Sequence, residues 1–155
     1  MPDVVTRALG LGAAAGLRST SAPAALSRAL LGGRIGGLEE TPFAILASAW
    51  VSRALLLLEI GEMLADKLPI TPSRTSSPPL LGRMASGGLV GAALFASESR
   101  RAAVGGALGA AAALAAAYAG ELLRVRAAQK LGLPDPAVAL IEDGIVLLVG
   151  ARLLR

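Results

Sequence analysis

The sequence predicts an all-α membrane protein, a polytopic helix bundle of five to six helical segments that contains a tandem helical-hairpin repeat. Hydrophobic residues make up 54% of the 155 residues and charged residues 17%, whereas a soluble domain carries about 25% charge. Aromatic residues make up only 3%, so Ala, Leu and Gly carry the hydrophobicity, as in helices that pack closely in a bilayer. A series of apolar stretches also lies near or above the roughly 20 residues that a spanning helix needs.

Six apolar stretches give the predicted helices in chain order. The first, at 4–17, and the second, at 22–38, are separated by a polar break and are short for spans. They predict two short helices, one kinked helix or a re-entrant pair. The other four stretches are long enough to span, and they cover 42–68, 79–97, 102–123 and 136–154.

Three short motifs occur twice in the same order, which indicates an internal repeat. The pairs are Arg18-Ser19-Thr20-Ser21-Ala22-Pro23 with Arg74-Thr75-Ser76-Ser77-Pro78-Pro79, Arg28-x3-Gly32-Gly33-x2-Gly36 with Arg83-x3-Gly87-Gly88-x2-Gly91, and Gly61-Glu62-Met63-Leu64 with Gly120-Glu121-Leu122-Leu123. Ordered matches that include Arg, Ser, Pro and Glu arise by chance less easily than matches of Ala and Gly alone. We therefore predict a single transmembrane domain, with repeat one at 18–72, repeat two at 74–136 and a final helix at 136–155.

Each repeat is predicted to form a helical hairpin that opens with an Arg-Ser/Thr motif, at 18–21 and at 74–77. Ser or Thr just before a helix and Pro early in it are the residues that helix N-termini prefer. Because two spans return the chain to its starting side, both motifs should lie on one face of the membrane, and so should Glu62 and Glu121. Lys and Arg divide equally between the two faces, which leaves the orientation open.

Small residues recur four positions apart in several predicted helices. The pairs are Gly12 with Gly16, Gly87 with Gly91, and Gly105 with Gly109. Helices in a bilayer gain contacts by close backbone approach at such residues. The pairs therefore predict either packing within one subunit or a homo-oligomer interface. We favour a homodimer, because a chain with few spans often needs a partner copy to enclose a site.

Composition also excludes several classes of function. The chain has no Cys and no His, which removes disulfides, thiolate catalysis and the commonest acid–base group. The sequence contains no nucleotide-binding loop, nucleophile elbow or metal-ligand cluster, so we expect no enzyme, no metal and no cofactor. The net charge of +4 comes from basic residues scattered between apolar stretches, which is typical of membrane interfaces rather than of nucleic-acid binding.

The two Arg-Ser/Thr motifs are the predicted substrate site. A helix N-terminus offers unpaired backbone N–H groups and the positive end of the helix dipole, Arg adds a planar cation, and the hydroxyls add neutral donors. This chemistry suits an anionic solute or a lipid phosphate. The alternative is that the motifs only cap helices while their Arg side chains reach lipid headgroups. The candidate residues are Arg18, Ser19, Thr20, Ser21, Arg74, Thr75, Ser76 and Ser77.

Charged side chains within or beside the apolar stretches form a second set of candidates. Glu59, Glu62 and Asp66 share one helical face, and Glu121 occupies the position of Glu62 in the second repeat. A carboxylate in hydrocarbon must face protein, water or an Arg. We expect these carboxylates either to pair with the Arg residues of the two motifs or to couple protons or cations to transport. Arg53 is expected to pair with a carboxylate on a neighbouring helix. The full set is Arg53, Glu59, Glu62, Asp66, Lys67, Glu121, Glu142 and Asp143.

A set of motifs spread along the chain carries a resemblance to a known family. The motifs are Gly16-Leu17-Arg18-Ser19…Pro23, Asp66-Lys67-Leu68-Pro69…Pro72-Ser73-Arg74-Thr75…Pro78-Pro79-Leu80…Arg83, and the late pair Glu142-Asp143. On these residues the chain resembles an uncharacterised bacterial family, domain of unknown function four-one-two-six, over nearly its whole length. The resemblance implies an integral membrane protein and brings no activity or catalytic residues with it.

Two functions fit these predictions. The first is a small multi-pass transporter, channel or flippase-like protein of the bacterial inner membrane that handles an anionic solute or lipid phosphate through its Arg-Ser/Thr motifs. The alternative is a non-transporting membrane scaffold or assembly factor whose charged motifs are structural salt bridges. A water-accessible cavity that reaches the motifs favours transport, and a closed cluster of paired charges favours the scaffold.

Overall fold

The computed structural model describes residues 2–65, 75–131 and 134–155, and it confirms the all-α class. All regular elements in these ranges are helical. They are α1 (Val4–Leu17), α2 (Ser21–Leu31), a 3-10 helix (Pro42–Ala47), α3 (Ala49–Ala65), α4 (Ser77–Ser97), α5 (Ala102–Leu131) and α6 (Asp135–Leu153). Among the described residues, Ser77–Ser97 and Ala102–Ala127 are long and apolar enough to cross a membrane, which is consistent with a membrane protein.

Helices α1, α4 and α5 pack on one another through the predicted glycine pairs. A methyl group placed on Gly16 would lie 2.8 Å from the Cβ of Ala116, and one on Gly87 would lie 2.5 Å from the carbonyl oxygen of Gly109. Gly91 and Gly105 face each other in the same way. These contacts lie within one chain, so close helix packing inside the subunit uses the small residues. The glycine pairs therefore no longer argue for a homodimer.

The first two helices form a hairpin whose turn lies part-way along the bundle. Gly16 packs against Ala113, and α5 continues beyond that contact to Leu131, which at 1.5 Å per residue adds about 27 Å. Arg18, in the turn, contacts Asp143 near the middle of α6. In this region the structure has two short helices joined by a turn inside the bundle, and whether they re-enter a membrane stays a prediction.

Two predicted stretches differ from the observed helices. The second stretch is helical only to Leu31, because Gly32 and Gly33 follow and Gly33 has φ +66°, a conformation that ends an α-helix. The stretch predicted at 42–68 is interrupted at Ser48, whose backbone is extended and whose hydroxyl donates to the carbonyl of Ile45 at 2.8 Å. That local bond competes with helix geometry, so α3 begins at Ala49.

The two copies of the predicted repeat share one feature and differ in another. Thr20 and Ser76 are the N-cap residues of α2 and α4, as the Arg-Ser/Thr motifs predict. The glycine motif, however, ends α2 in the first copy and lies inside α4, against α5, in the second. The tandem repeat therefore stays a prediction, supported at the helix starts alone.

Asp3 caps the N-terminus of α1. Its carboxylate accepts hydrogen bonds from the Thr6 hydroxyl at 2.6 Å and from the backbone N–H groups of Thr6 and Val5 at 3.0 Å. The hydroxyl and N–H of Thr6 are the main groups that lower the pKa of this carboxyl below its ordinary value of 3.8.

Replacement of Asp3 by Ala is expected to lower the Tm at pH 7, while Asp3→Asn should retain most of the cap, because an amide oxygen also accepts. Since the folded-state pKa is depressed, the charge-dependent stabilisation is complete well above pH 3.8 and is lost as the pH falls through the folded value. The Tm difference between wild type and Asp3→Asn should therefore shrink in acid. Equal Tm values for wild type and Asp3→Ala at pH 7 would contradict the capping role.

Candidate functional site

Charged and hydroxyl side chains from the α1–α2 turn and from three other helices meet inside the bundle. We call them the tip cluster, and its members are Arg18, Ser19, Thr20, Glu62, Arg83 and Asp143. The turn forms because Arg18 has an extended backbone, with φ −142° and ψ 116°, while its N–H still closes the last turn of α1 onto Ala14. The helix ends are thereby placed among ionisable groups in the interior of the bundle, where their backbone groups need partners.

The Glu62 carboxylate binds directly to the N-terminus of α2. Its Oε1 accepts from the backbone N–H of Ser19 at 2.8 Å and from the Ser19 hydroxyl at 2.9 Å. Its Oε2 accepts from the N–H of Thr20 at 2.9 Å and from the Thr20 hydroxyl at 2.7 Å. A guanidinium nitrogen of Arg83 lies 3.7 Å from Oε1. Four neutral donors and one cation therefore hold one carboxylate, which is the chemistry of an anion site.

Arg18 is completely buried and pairs with Asp143 on α6. Its Nε donates to Asp143 Oδ1, and one of its terminal nitrogens lies 3.4 Å from the backbone carbonyl oxygen of Glu62. The sequence predicted that Glu62 either pairs with an Arg of the two motifs or couples protons, and among the described contacts the carboxylate against Arg18 is that of Asp143. Arg18 thus fixes α6 to the turn, and its guanidinium does not face solvent.

Arg83 caps the C-terminus of α1, a role that the sequence did not reveal. Its guanidinium donates to the carbonyl oxygens of Gly16 at 2.9 Å and Leu17 at 2.5 Å. A cation at the last carbonyls of a helix is favourable because the helix dipole is negative there. One feature of the sequence does indicate a buried partner for Arg83, because it lies within an apolar stretch, where an unpaired charge is costly.

A further ion pair lies beside the hairpin, in a groove between α2, α3 and α6. Arg28 donates to Glu59 Oε2 at 3.0 Å, and Glu59 is buried while the Arg28 side chain is 40% exposed. The groove has a volume of about 300 Å³, and Arg34 and Ser21 also line it. The Ser21 side chain therefore points toward this groove, whereas the side chains of Ser19 and Thr20, its neighbours in the motif, point into the tip cluster.

The remaining candidates do not join the tip cluster in the described contacts. Arg53 is exposed on α3 and forms no ion pair with another described residue, so its predicted pairing stays a prediction. Glu142 is buried on α6, and Glu121 is half-buried on α5. Thr75, Ser76 and Ser77 lie at the start of α4, six or more residues from Arg83 and hence about 9 Å or more along the helix axis. The candidates Asp66, Lys67 and Arg74 lie outside the described residues.

An additional buried cation lies at the other end of α1. Arg7, which is 4% exposed, lies 3.5 Å from the carboxylate of Glu98 at the C-terminus of α4. The described residues contain no group of three or more carboxylate side chains that could hold a metal ion.

Comparison with known proteins identifies the chain at family level. A family model described as Domain of unknown function (DUF4126) matches residues 5–153, which confirms the resemblance found in the motifs. Searches of curated proteins and of solved structures found no match.

Proposed function

Because the chain belongs to the DUF4126 family, a domain family of unknown function, we propose its function from the tip cluster itself. The protein is a multi-pass transporter of the bacterial inner membrane that moves a small anionic solute or a lipid phosphate. The observation that carries the proposal is the set of four donors, from Ser19 and Thr20, around a carboxylate inside the bundle. Secondary transporters bind substrates at helix ends of this kind near the bilayer midplane.

Large apolar side chains on the outer surface support a place in the bilayer. Leu57 on α3 is 69% exposed and Leu123 on α5 is 64% exposed. Exposed Leu and Ile side chains continue along α6 from Leu140 to Leu148. Water-soluble monomers rarely expose apolar surface on this scale, whereas lipid tails cover it without cost.

Glu62 occupies the position that a substrate anion would take. Its side chain is 17% exposed, and α3 continues for only three described residues beyond it. A substrate carboxylate or phosphate can accept the same four hydrogen bonds once Glu62 leaves them. Protonation of Glu62 favours that exchange, because a carboxylic acid accepts such hydrogen bonds more weakly than a carboxylate. The site then alternates between its internal anion and the substrate.

Proteoliposomes test this proposal with two probes, radiolabelled inorganic phosphate for uptake and a fluorescent phosphatidylglycerol for movement between leaflets. Wild-type protein is expected to transport at least one of them, and Thr20→Val should lower the rate about tenfold, because it removes one hydrogen bond to a charged group. Ser99→Ala, in an exposed turn, is the matched control and should transport at the wild-type rate. Transport of neither probe above empty liposomes, or equal rates for Thr20→Val and Ser99→Ala, would contradict the proposal.

A scaffold or assembly factor remains the second candidate, because one observation favours it specifically. Arg18 has no exposed surface and its guanidinium pairs with a carboxylate of the same chain. A closed pair of this kind is what a structural salt bridge predicts. On this alternative, the protein moves neither probe and is recovered from native membranes in a stable complex with a different protein.

A further inference from the structure

The groove between α2, α3 and α6 contains buried polar atoms that the tip cluster does not use. Oε1 of Glu59 and Oγ of Ser21 are both buried, the two residues being 3% and 2% exposed, and neither atom has a hydrogen-bond partner in the described structure. Both residues line the groove. A buried polar atom without a partner is costly, so these two atoms indicate a ligand that supplies a donor.

Two guanidinium groups lie on the same groove. Arg28 uses one nitrogen for Glu59, with 40% of its side chain still exposed, and Arg34 is exposed just beyond the end of α2. Arg34 forms no ion pair with any described residue. Two Arg side chains beside one carboxylate leave the groove with an excess of positive charge, and guanidinium groups bind phosphate oxygens with high geometric specificity.

The third wall of the groove is apolar and continues onto the outer surface. Leu147 and Gly150 of α6 line it, and Leu147 and Leu148 are about half exposed on the outside of the same helix. Polar groups at one side and an exposed apolar helix at the other match an amphiphile better than a free ion. Basic pockets between membrane helices bind lipid headgroups in this way.

We propose that this groove binds the headgroup of a glycerophospholipid, with its phosphate against Arg28 and Arg34. A hydroxyl or ammonium group of the headgroup donates to Glu59 Oε1 and Ser21 Oγ, and the acyl chains lie along α6. The inference needs the bilayer location in the proposed function but not the transport step. Lipid binding in the groove therefore does not require that the tip cluster transports a substrate.

Native mass spectrometry of the detergent-purified full chain tests the assignment by titration with dihexanoylphosphatidylglycerol. Dihexanoylglycerol, which lacks the phosphate, and inorganic phosphate, which lacks the acyl chains, are the comparison probes. Wild-type protein is expected to bind the phospholipid at least tenfold more tightly than either. Arg34→Ala should weaken phospholipid binding about tenfold, since it removes a charge-assisted contact. Arg101→Ala, another exposed Arg outside the groove, should bind as wild type does.

A steric variant provides a second test that leaves every charge in place. Ala151 lines the groove and is exposed on α6. Ala151→Phe therefore fills part of the groove with a larger side chain that does not enter the core. It is expected to reduce phospholipid binding at least tenfold while the helical circular dichroism stays unchanged. Equal affinities of Arg34→Ala and Arg101→Ala, or equal binding of dihexanoylglycerol, would overturn the phosphate assignment. Binding of inorganic phosphate as tight as that of the lipid would overturn the lipid assignment. The transport assay can fail without changing any of these results.

Discussion

A Gly109→Ala variant is expected to lose about 1–3 kcal/mol of unfolding free energy, which is a large share of the stability of a chain this small. A methyl group at this position would lie within 3 Å of the backbone of Gly87 on α4. Backbone cannot move aside as the end of a side chain can, so α4 and α5 would have to separate along their shared surface. The loss of dispersion contacts would therefore extend beyond the substituted position.

Gly82 on α4 provides the matched control for this prediction. A methyl group on Gly82 would meet nothing within 4 Å, so Gly82→Ala should be neutral or more stable, by up to about 1 kcal/mol from helix propensity. The measurement is unfolding in mixed micelles by titration with sodium dodecyl sulfate, followed by circular dichroism. If Gly109→Ala unfolds at the same denaturant fraction as Gly82→Ala, the observed α4–α5 approach does not hold in the bilayer-like environment.

Local signals in the sequence predicted many helix boundaries because the residues that set them are close together in the chain. The first helix has the predicted bounds 4–17, with Asp3 as its cap, and α4 ends at Ser97 and α5 begins at Ala102, as the stretches 79–97 and 102–123 predict. The end of α5 was missed for a physical reason. Arg124, Arg126 and Lys130 end the apolar stretch, but charged residues with long side chains are good helix formers, so the helix continues to Leu131.

The sequence predicted most residues of the tip cluster but not which of them bind each other. The donors of Ser19 and Thr20 and the charge of Glu62 all follow from the motifs, and the structure brings them together. That they bind each other depends on how α3 packs against the turn, which hydropathy does not encode. Asp143 lies 125 residues from Arg18, and no periodicity in the sequence links the two.

Replacement of Arg18 by Met is expected to cost about 3–5 kcal/mol, because it removes the cation that Arg18 places against the buried carboxylate of Asp143. The double variant Arg18→Met with Asp143→Leu should recover most of that loss, since it removes both charges and fills the space with apolar atoms. Arg53→Met, at an exposed position of α3, is the control and should change stability by less than about 0.5 kcal/mol. A double variant no more stable than Arg18→Met alone would show that the two side chains do not act as a pair.

The same double variant tests whether the buried pair takes part in the proposed transport, because it can be folded and yet lack the pair. If Arg18 and Asp143 only join α6 to the turn, the refolded double variant should keep the wild-type transport rate for whichever probe the protein moves. If the pair positions the donors of Ser19 and Thr20 for an anion, the transport rate should fall even though the unfolding free energy returns toward the wild-type value. Stability and flux measured on one preparation therefore distinguish a structural salt bridge from a positioning one.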